Sequence, residues 1–348
     1  MAEQSLTGIK VLEMGTNIAA PYCAKLMADQ GAEVIKVELP ADGDPARRAG
    51  PFPGDRPDPE ASGLYLLLNT SKKGITLDFR TDTGADILKK LIARADILVE
   101  NFEPRILPSL GLGYKDLEKV NPGLVMTSIT GFGQTGPYKD YQASEIVIEA
   151  LGGLLQITGD PDREPHKAGG SQAEYQGGLT AFTGSLTALW QRDETGAGQQ
   201  VDISLMECIA SILEYTTSMY SYMGAIRKRW YSRSITGYPQ GIMPCKDGHL
   251  IAVLGPSGME SLAIMVERPE LELDPLFSTR EQRMINWREF DAAVLPWFMA
   301  HDRDEIIELA QALRMPFAKL LKIDEVVEDF QYKARDYFVD IDHAATGI

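Results

Sequence analysis

Ile9-Lys10-Val11-Leu12-Glu13-Met14-Gly15-Thr16-Asn17-Ile18-Ala19-Ala20-Pro21 reads as an apolar strand, a turn at Gly15 and the start of a helix. The helical stretch spans 18–30 and stops at Gly31; a second β-branched run, 34–39, carries Glu38 near its end. Strand, helix and strand in this order make a βαβ unit, and Glu38 occupies the place of a ribose-binding acid. A dinucleotide loop needs G-x-G-x-x-G so that backbone can approach a pyrophosphate. This turn has one glycine and, at Pro21, a residue without an N–H. The chain therefore begins like a Rossmann domain without the dinucleotide site.

Further along, the Pro/Gly-rich stretch 40–63 predicts a long loop, and long loops inside compact domains are often functional. Strands are expected at 75–79, 97–100, 124–129 and 200–205, and helices at 83–95, 116–120, 176–190 and 206–223. Such alternation implies crossover connections and a parallel sheet. After Met223 the texture changes to a hairpin-like 244–253 followed mostly by helices. The expected fold is α/β: a large Rossmann-like domain with a linker helix over residues 1–224, then a smaller α+β domain over 225–330.

With 348 residues, 44% hydrophobic and 24% charged, the chain is long enough for two globular domains. No apolar run reaches the ~18 residues of a membrane span and no signal peptide is evident. Cys23, Cys208 and Cys245 are too scattered for a disulfide framework or a zinc site, and no metal is expected. A cytoplasmic protein without a membrane partner follows. The net charge of −16 argues against nucleic acid, and an anionic ligand needs a local basic pocket.

Seven segments, occurring in order, resemble the class III CoA-transferases (CaiB/BaiF type). They are residues 6–13, 26–38, 43–47, 68–78, 99–104, 131–137 and 195–202, among them Leu68-Asn69-Thr70-Ser71-Lys72-Lys73-Gly74 and Gly131-Phe132-Gly133-Gln134-Thr135-Gly136-Pro137. The resemblance implies CoA or acyl-CoA as substrate with no permanently bound cofactor. It also implies two chains threaded as linked rings, with 331–348 starting a return to the large domain and relatives continuing some fifty residues further. In the family an aspartate attacks the acyl-CoA thioester, giving a mixed anhydride and then an enzyme-bound CoA thioester. A carboxylate suits this because it is both nucleophile and leaving group.

The position matching that aspartate is Glu174, and Glu145 matches an acidic position near the reacting acyl group. The family's CoA pocket maps to Asn101-Phe102 and Ser71-Lys72-Lys73, with Lys72 and Lys73 as phosphate ligands. Arg47 and Arg48 are candidates for the 3′-phosphate, while Leu39 stands where many relatives carry a basic residue. Gly237-Tyr238-Pro239-Gln240-Gly241 matches a covering loop. Tyr215, Tyr220, Tyr222, Trp230 and Tyr231 either line an aromatic acyl pocket or belong to the core. Related racemases carry a histidine where this chain has Ser144, which disfavours a 2-methylacyl-CoA racemase.

Glutamate adds a methylene, moving the carboxylate ~1.5 Å, a scale on which misplacement can cost ~100-fold. Glu174 could equally be a helix-start carboxylate that satisfies orphan N–H groups. Two readings stand: a homomeric enzyme using Glu174, and a silent subunit paired with a paralogous partner, as in the enzymes that pass CoA from succinyl-CoA to an aromatic-substituted succinate. The Glu174 and Leu39 departures favour the second.

Overall fold

Apolar β-branched runs between helices give strands that bury both faces, and here they assemble into one parallel sheet. The computed structural model describes residues 4–229, 238–254, 258–343 and 346–347. Its first elements are β1 (Lys10–Glu13), α1 (Ala19–Asp29), β2 (Glu33–Glu38), α2 (Gly63–Leu68), β3 (Lys73–Thr76), α3 (Asp82–Ile92) and β4 (Ile97–Glu100). Next come α4 (Ile106–Ser109), α5 (Tyr114–Leu117), β5 (Val125–Thr130), α6 (Glu145–Leu151), α7 (Gln172–Thr195), β6 (Gln200–Ser204), α8 (Leu205–Ser211) and α9 (Glu214–Met223).

The sheet order is β3-β2-β1-β4-β5-β6 and every pairing is parallel. The order reverses between β1 and β4, and open α/β sheets bind ligands outside the carboxyl ends of the strands at such a point. All residues of β4 and β5 are buried. Val11, Val99, Val125 and Ile129 face α1 and α7, whereas Leu12, Leu98 and Met126 face α3 and the α4–α5 segment.

Two expectations shift. The strand read at 75–79 lies at Lys73–Thr76, because the ladder with β2 ends at Glu38↔Thr76 and the chain then turns toward α3. The helix read over 206–223 is broken after Ser211, so that α8 is partly buried and α9 has no buried residue.

The chain forms two compact units, the first comprising residues 1–158, 166–227 and 342–348. The second comprises 159–165 and 228–341, where the sequence reading had the smaller domain over 225–330. Within it, β7 (Gln240–Cys245) and β8 (Gly248–Val253) pair antiparallel and β9 (Ala318–Lys319) adds to β8. Around them lie α10 (Gly258–Met265), α11 (Arg280–Ile285), α12 (Trp287–Ala300), α13 (Arg303–Ala312), α14 (Ile323–Glu328) and α15 (Phe330–Ala334). Phe290, Val294, Phe298 and Leu250 fill this unit's core, and Arg229 ties in the 159–165 segment by donating to Asp160 O at 3.2 Å. No described helix is long and apolar enough to cross a membrane.

In the first unit α1 lies directly on α7, with Tyr22 edge-on to Tyr175 at 4.9 Å. Glycine allows this approach: a Cβ on Gly178 would stand 2.6 Å from Ala19 O, a backbone atom. A Cβ on Gly177 would instead meet Leu205 Cδ2 at 2.1 Å, the end of a side chain that can rotate. Gly178→Ala should therefore destabilise by about 1–3 kcal/mol, the cost of overpacking against something that cannot yield, and Gly177→Ala by less. Urea midpoints compared with the parent check the order; Gly177→Ala being the worse of the two would contradict it.

Candidate active site

A cavity of about 230 Å³ opens at the carboxyl ends of the strands, beside the switch point. The turn after β1 contributes Thr16, Asn17 and Ala19, and the turn after β4 contributes Asn101 to Pro104. The end of β5, the loop 139–144, Glu145 and Glu174 complete it. Its size is below the ~300–1,000 Å³ of pockets that enclose drug-sized ligands. It fits the acyl end of a thioester better than a whole CoA.

The two predicted carboxylates meet here, each on the N-terminus of a helix. Glu174, in the first turn of α7, crosses to α1, where its Oε2 accepts from Ala19 N at 3.0 Å. Glu145, the first residue of α6, accepts from Ala173 N at 2.7 Å and Glu174 N at 3.4 Å, which are orphan donors of α7. Among the described residues nothing donates to Glu174 Oε1. Burial pushes the Glu174 carboxyl above the usual glutamate range; the Ala19 N–H pulls it down, and Glu145 adds to the rise. Glu149, buried on α6, takes Ala168 N at 3.0 Å and holds the segment leading into α7.

The β1–α1 turn is fixed by side chains. Asn101 clamps Thr16 reciprocally, Oδ1 accepting from Thr16 N and Nδ2 donating to Thr16 O, both at 2.9 Å. Asp44 Oδ1 takes Asn17 N at 2.9 Å. Beneath the turn, Lys36 Nζ lies 2.6 Å from Glu13 and 2.9 Å from Asp44, and donates to Gly15 O at 3.0 Å.

Lys72 joins this group, which corrects its reading as a phosphate ligand. Its Nζ donates to Glu13 Oε2 (2.7 Å), Pro21 O (2.8 Å) and Asn69 Oδ1 (3.0 Å), so all three N–H bonds are spent. Burial pulls its pKa down to about 8 against the pull of Glu13. Lys73 pairs with Glu33 at 2.8 Å, at the amino end of the strands, away from the cavity. Arg47 stacks 3.8 Å over Tyr65, binds both oxygens of Glu38 at 2.8 Å and reaches Glu60 at 3.1 Å. None of these three cations lines the cavity, whereas Asn101 and Phe102 do.

The sequence reading missed Lys139, among the described residues the one basic side chain lining the cavity, together with Glu103 and Gln142 beside it. Its signal was the Tyr138-Lys139-Asp140-Tyr141 run that follows a glycine-rich segment. Ser144 lines the cavity and no histidine does. Tyr215, Tyr220 and Tyr222 are exposed and lie outside it; Trp230, Tyr231 and Gly237 fall outside the described residues. Among the described residues no group of three or more His, Cys, Asp or Glu could hold a metal ion.

A switch-point cavity with two carboxylates on helix N-termini and no nucleotide loop marks an α/β protein whose site lies where such sheets bind ligands but is not built for a dinucleotide. The chain belongs to CoA-transferase family III, whose sequence profile matches residues 6–348. It is 35% identical over 339 residues to a succinyl-CoA–D-citramalate CoA-transferase of Chloroflexus aurantiacus, covering 97% of this chain and 83% of that one. It is also 35% identical to the beta subunit of a succinyl-CoA–L-malate CoA-transferase of the same organism (97% and 83% covered). A crystal structure of a CAIB/BAIF family protein from Brucella suis superposes with a TM-score of 0.88 at 33% identity, over 97% of this chain and 89% of that chain.

Glu100, at the end of β4, supports the Asn101–Phe102 turn by accepting from Phe102 N at 2.9 Å. Burial lifts its pKa to about 7 from 4.5, with Ser128 and Phe102 N opposing. The folded protein keeps this proton up to about pH 7, whereas the unfolded chain loses it near 4.5. Stability therefore falls as pH rises between those values, by up to about 3 kcal/mol from this group. Glu100→Gln should be more stable than the parent at pH 8 and gain little at pH 4.5, read by urea unfolding at both pH values. An equal change at the two would contradict the assignment.

Proposed function

We propose that this chain moves CoA from succinyl-CoA to another dicarboxylic acid and that Glu174 is the nucleophile. The observation that carries this is the Glu174 carboxylate in the switch-point cavity, one oxygen anchored on Ala19 N and the other uncommitted. Glu174 Oε1 attacks the thioester carbonyl, forming a mixed anhydride and releasing CoA thiolate. The thiolate attacks the glutamyl carbonyl, freeing the first acid and leaving a glutamyl-CoA thioester. The incoming carboxylate attacks that carbonyl, expelling thiolate, which then takes the new acyl group and restores Glu174. Carboxylate and thiolate change places at each step, and the net transfer is nearly balanced because one carboxylic acid replaces another on CoA. Asn101 and Phe102, at the cavity wall, face the thioester end of CoA. The dicarboxylate class is supported by relatives whose donor is succinyl-CoA and whose acceptors are malate and citramalate.

A second reading is a silent subunit paired with an active paralogue in a hetero-oligomer, with an aromatic-substituted succinate as one acceptor. It is favoured by the ion pairs that occupy Lys72 and Arg47 and by the beta-subunit relative. An intertwined two-chain assembly accompanies either reading.

Incubation with succinyl-CoA should leave CoA on Glu174, found as a borohydride-reduced or hydroxylamine-trapped peptide by mass spectrometry. Glu174→Gln should lower turnover ~1,000-fold or more, the scale of losing a nucleophile. Turnover within a few-fold of the parent, with an adduct on another chain, would establish the silent subunit instead.

A further inference from the structure

A dicarboxylic acid brings two negative charges into this cavity, and only one reacts. Once its first carboxyl is an anhydride or thioester, that end is neutral, but the second carboxylate remains an anion. The cavity is lined by four carboxyl side chains, those of Glu103, Asp140, Glu145 and Glu174. Glu174 and Glu145 are partly withdrawn from solvent while Glu103, Asp140 and Lys139 stand on the exposed rim; like charges repel, so an anion entering past these acids is favoured by a cation at a defined place. Lys139 alone among the lining residues can supply one.

Its setting differs from that of the other cations considered. Lys72, Lys36 and Arg47 are each committed to carboxylates at 2.6–2.8 Å. Lys139 makes no ion pair among the described residues. Its backbone, in contrast, is held firmly. Tyr138 and Tyr141 stack at 4.8 Å, Phe132 meets them edge-on at 5.9 and 6.2 Å, and Tyr141 N closes the turn on Tyr138 O at 2.8 Å. The aromatic clamp fixes the turn whose tip is Lys139-Asp140 and leaves the ammonium to a mobile four-carbon stem. Neighbouring acids have other work: Glu103 accepts from Gln142 at 3.0 Å and Arg105 at 3.3 Å, and Glu145 caps α7.

We propose that Lys139 is the specificity-determining residue of this cavity, pairing with the unreacting carboxylate of a dicarboxylic acyl group. This rests on the dicarboxylate CoA-transferase reading above. An ammonium on a flexible stem can follow acids of slightly different length, which a rigid bidentate arginine could not do as freely. Lys139 therefore selects for a second carboxylate rather than for one chain length.

The test compares acceptors that differ only in that group: glutarate against valerate, and succinate against butyrate. Lys139→Ala should raise KM for the dicarboxylates ~10-fold or more, the range of a hydrogen bond to a charged group, with kcat within a few-fold. With butyryl-CoA as donor, so that no donor carboxylate depends on Lys139, valerate kinetics and the KM for butyryl-CoA should stay unchanged. Lys139→Arg should recover most of the preference and Lys139→Glu should abolish it. Equal losses for mono- and dicarboxylates would overturn the proposal, as would a loss confined to butyryl-CoA, which would place Lys139 on a CoA phosphate. Calorimetric binding of glutarate and valerate to Glu174→Gln protein, with and without Lys139→Ala, reads the same contact without turnover. A glutarate preference that vanishes with Lys139 supports the proposal even where the Glu174 nucleophile reading fails, and no preference in the presence of Lys139 overturns it.

Discussion

Four buried charges beneath the β1–α1 turn set the geometry on which the site depends. Glu13, Lys36, Asp44 and Lys72 have side chains at most 2% exposed, and two positive charges balance two negative ones. Taking four ions out of water is costly, and their mutual attraction is helped by hydrogen bonds that fill most of their remaining donors and acceptors, Asp44 Oδ2 having only the ion pair with Lys36. Here they are filled largely by the turn itself: Lys36 binds Gly15 O, Lys72 binds Pro21 O, and Asp44 binds Asn17 N. An apolar cluster of equal volume could pack the space but would leave those backbone groups unpaired. The network also joins distant segments, since Asp44 belongs to the long loop after β2 and Lys72 precedes β3. Glu13 is held below the ordinary carboxylate range by Lys36 and Lys72 despite its burial.

From this base the two site carboxylates are placed in relay. Glu145 caps α7, which carries Glu174, and Glu174 reaches the first turn of α1. Each carboxylate gains from backbone N–H groups and from the positive end of a helix dipole, which offsets part of the repulsion between them. The extra methylene of glutamate has a visible use, since the carboxylate spans from one helix to another. The helix-capping role and the nucleophilic role are compatible, because capping occupies one oxygen and leaves the other. The contact with Ala19 N thus fixes the orientation of the carboxylate.

The sequence revealed the scaffold better than the site's charges. Apolar runs at β1, β2, β4 and β5 announced the parallel sheet because burial on both faces demands them. Glu174 and Glu145 could be placed through family motifs, and they do share the cavity. Lys72, Lys73 and Arg47 could not be assigned, because a lysine suited to a phosphate looks identical in sequence to one suited to a carboxylate. The partner decides, and for Lys72 it lies 59 residues away. Lys139 escaped notice for the converse reason: flanked by Asp140, it reads as a solvated surface pair until the fold places it on the rim of the cavity that holds the two site carboxylates. Tyr220 and Tyr222 suggested a core by type, yet 64% and 91% of their surface is exposed.

The same turn explains why a Rossmann-like sheet here serves a carboxylate instead of a dinucleotide. In dinucleotide domains the first turn and the helix after it present free N–H groups to a pyrophosphate. In this chain Thr16 N is taken by Asn101, Asn17 N by Asp44 and Ala19 N by Glu174. Glu38, at the ribose-binding position, is engaged by Arg47 and Tyr65, and its carboxyl is held down to about 2 although burial alone would raise it. Gly15 is retained for a packing reason: a Cβ there would sit 2.1 Å from Ala20 Cβ. The helix N-terminus that elsewhere receives a phosphate receives the chain's own carboxylate, so the anion-binding capacity of the fold is kept while its occupant becomes a side chain.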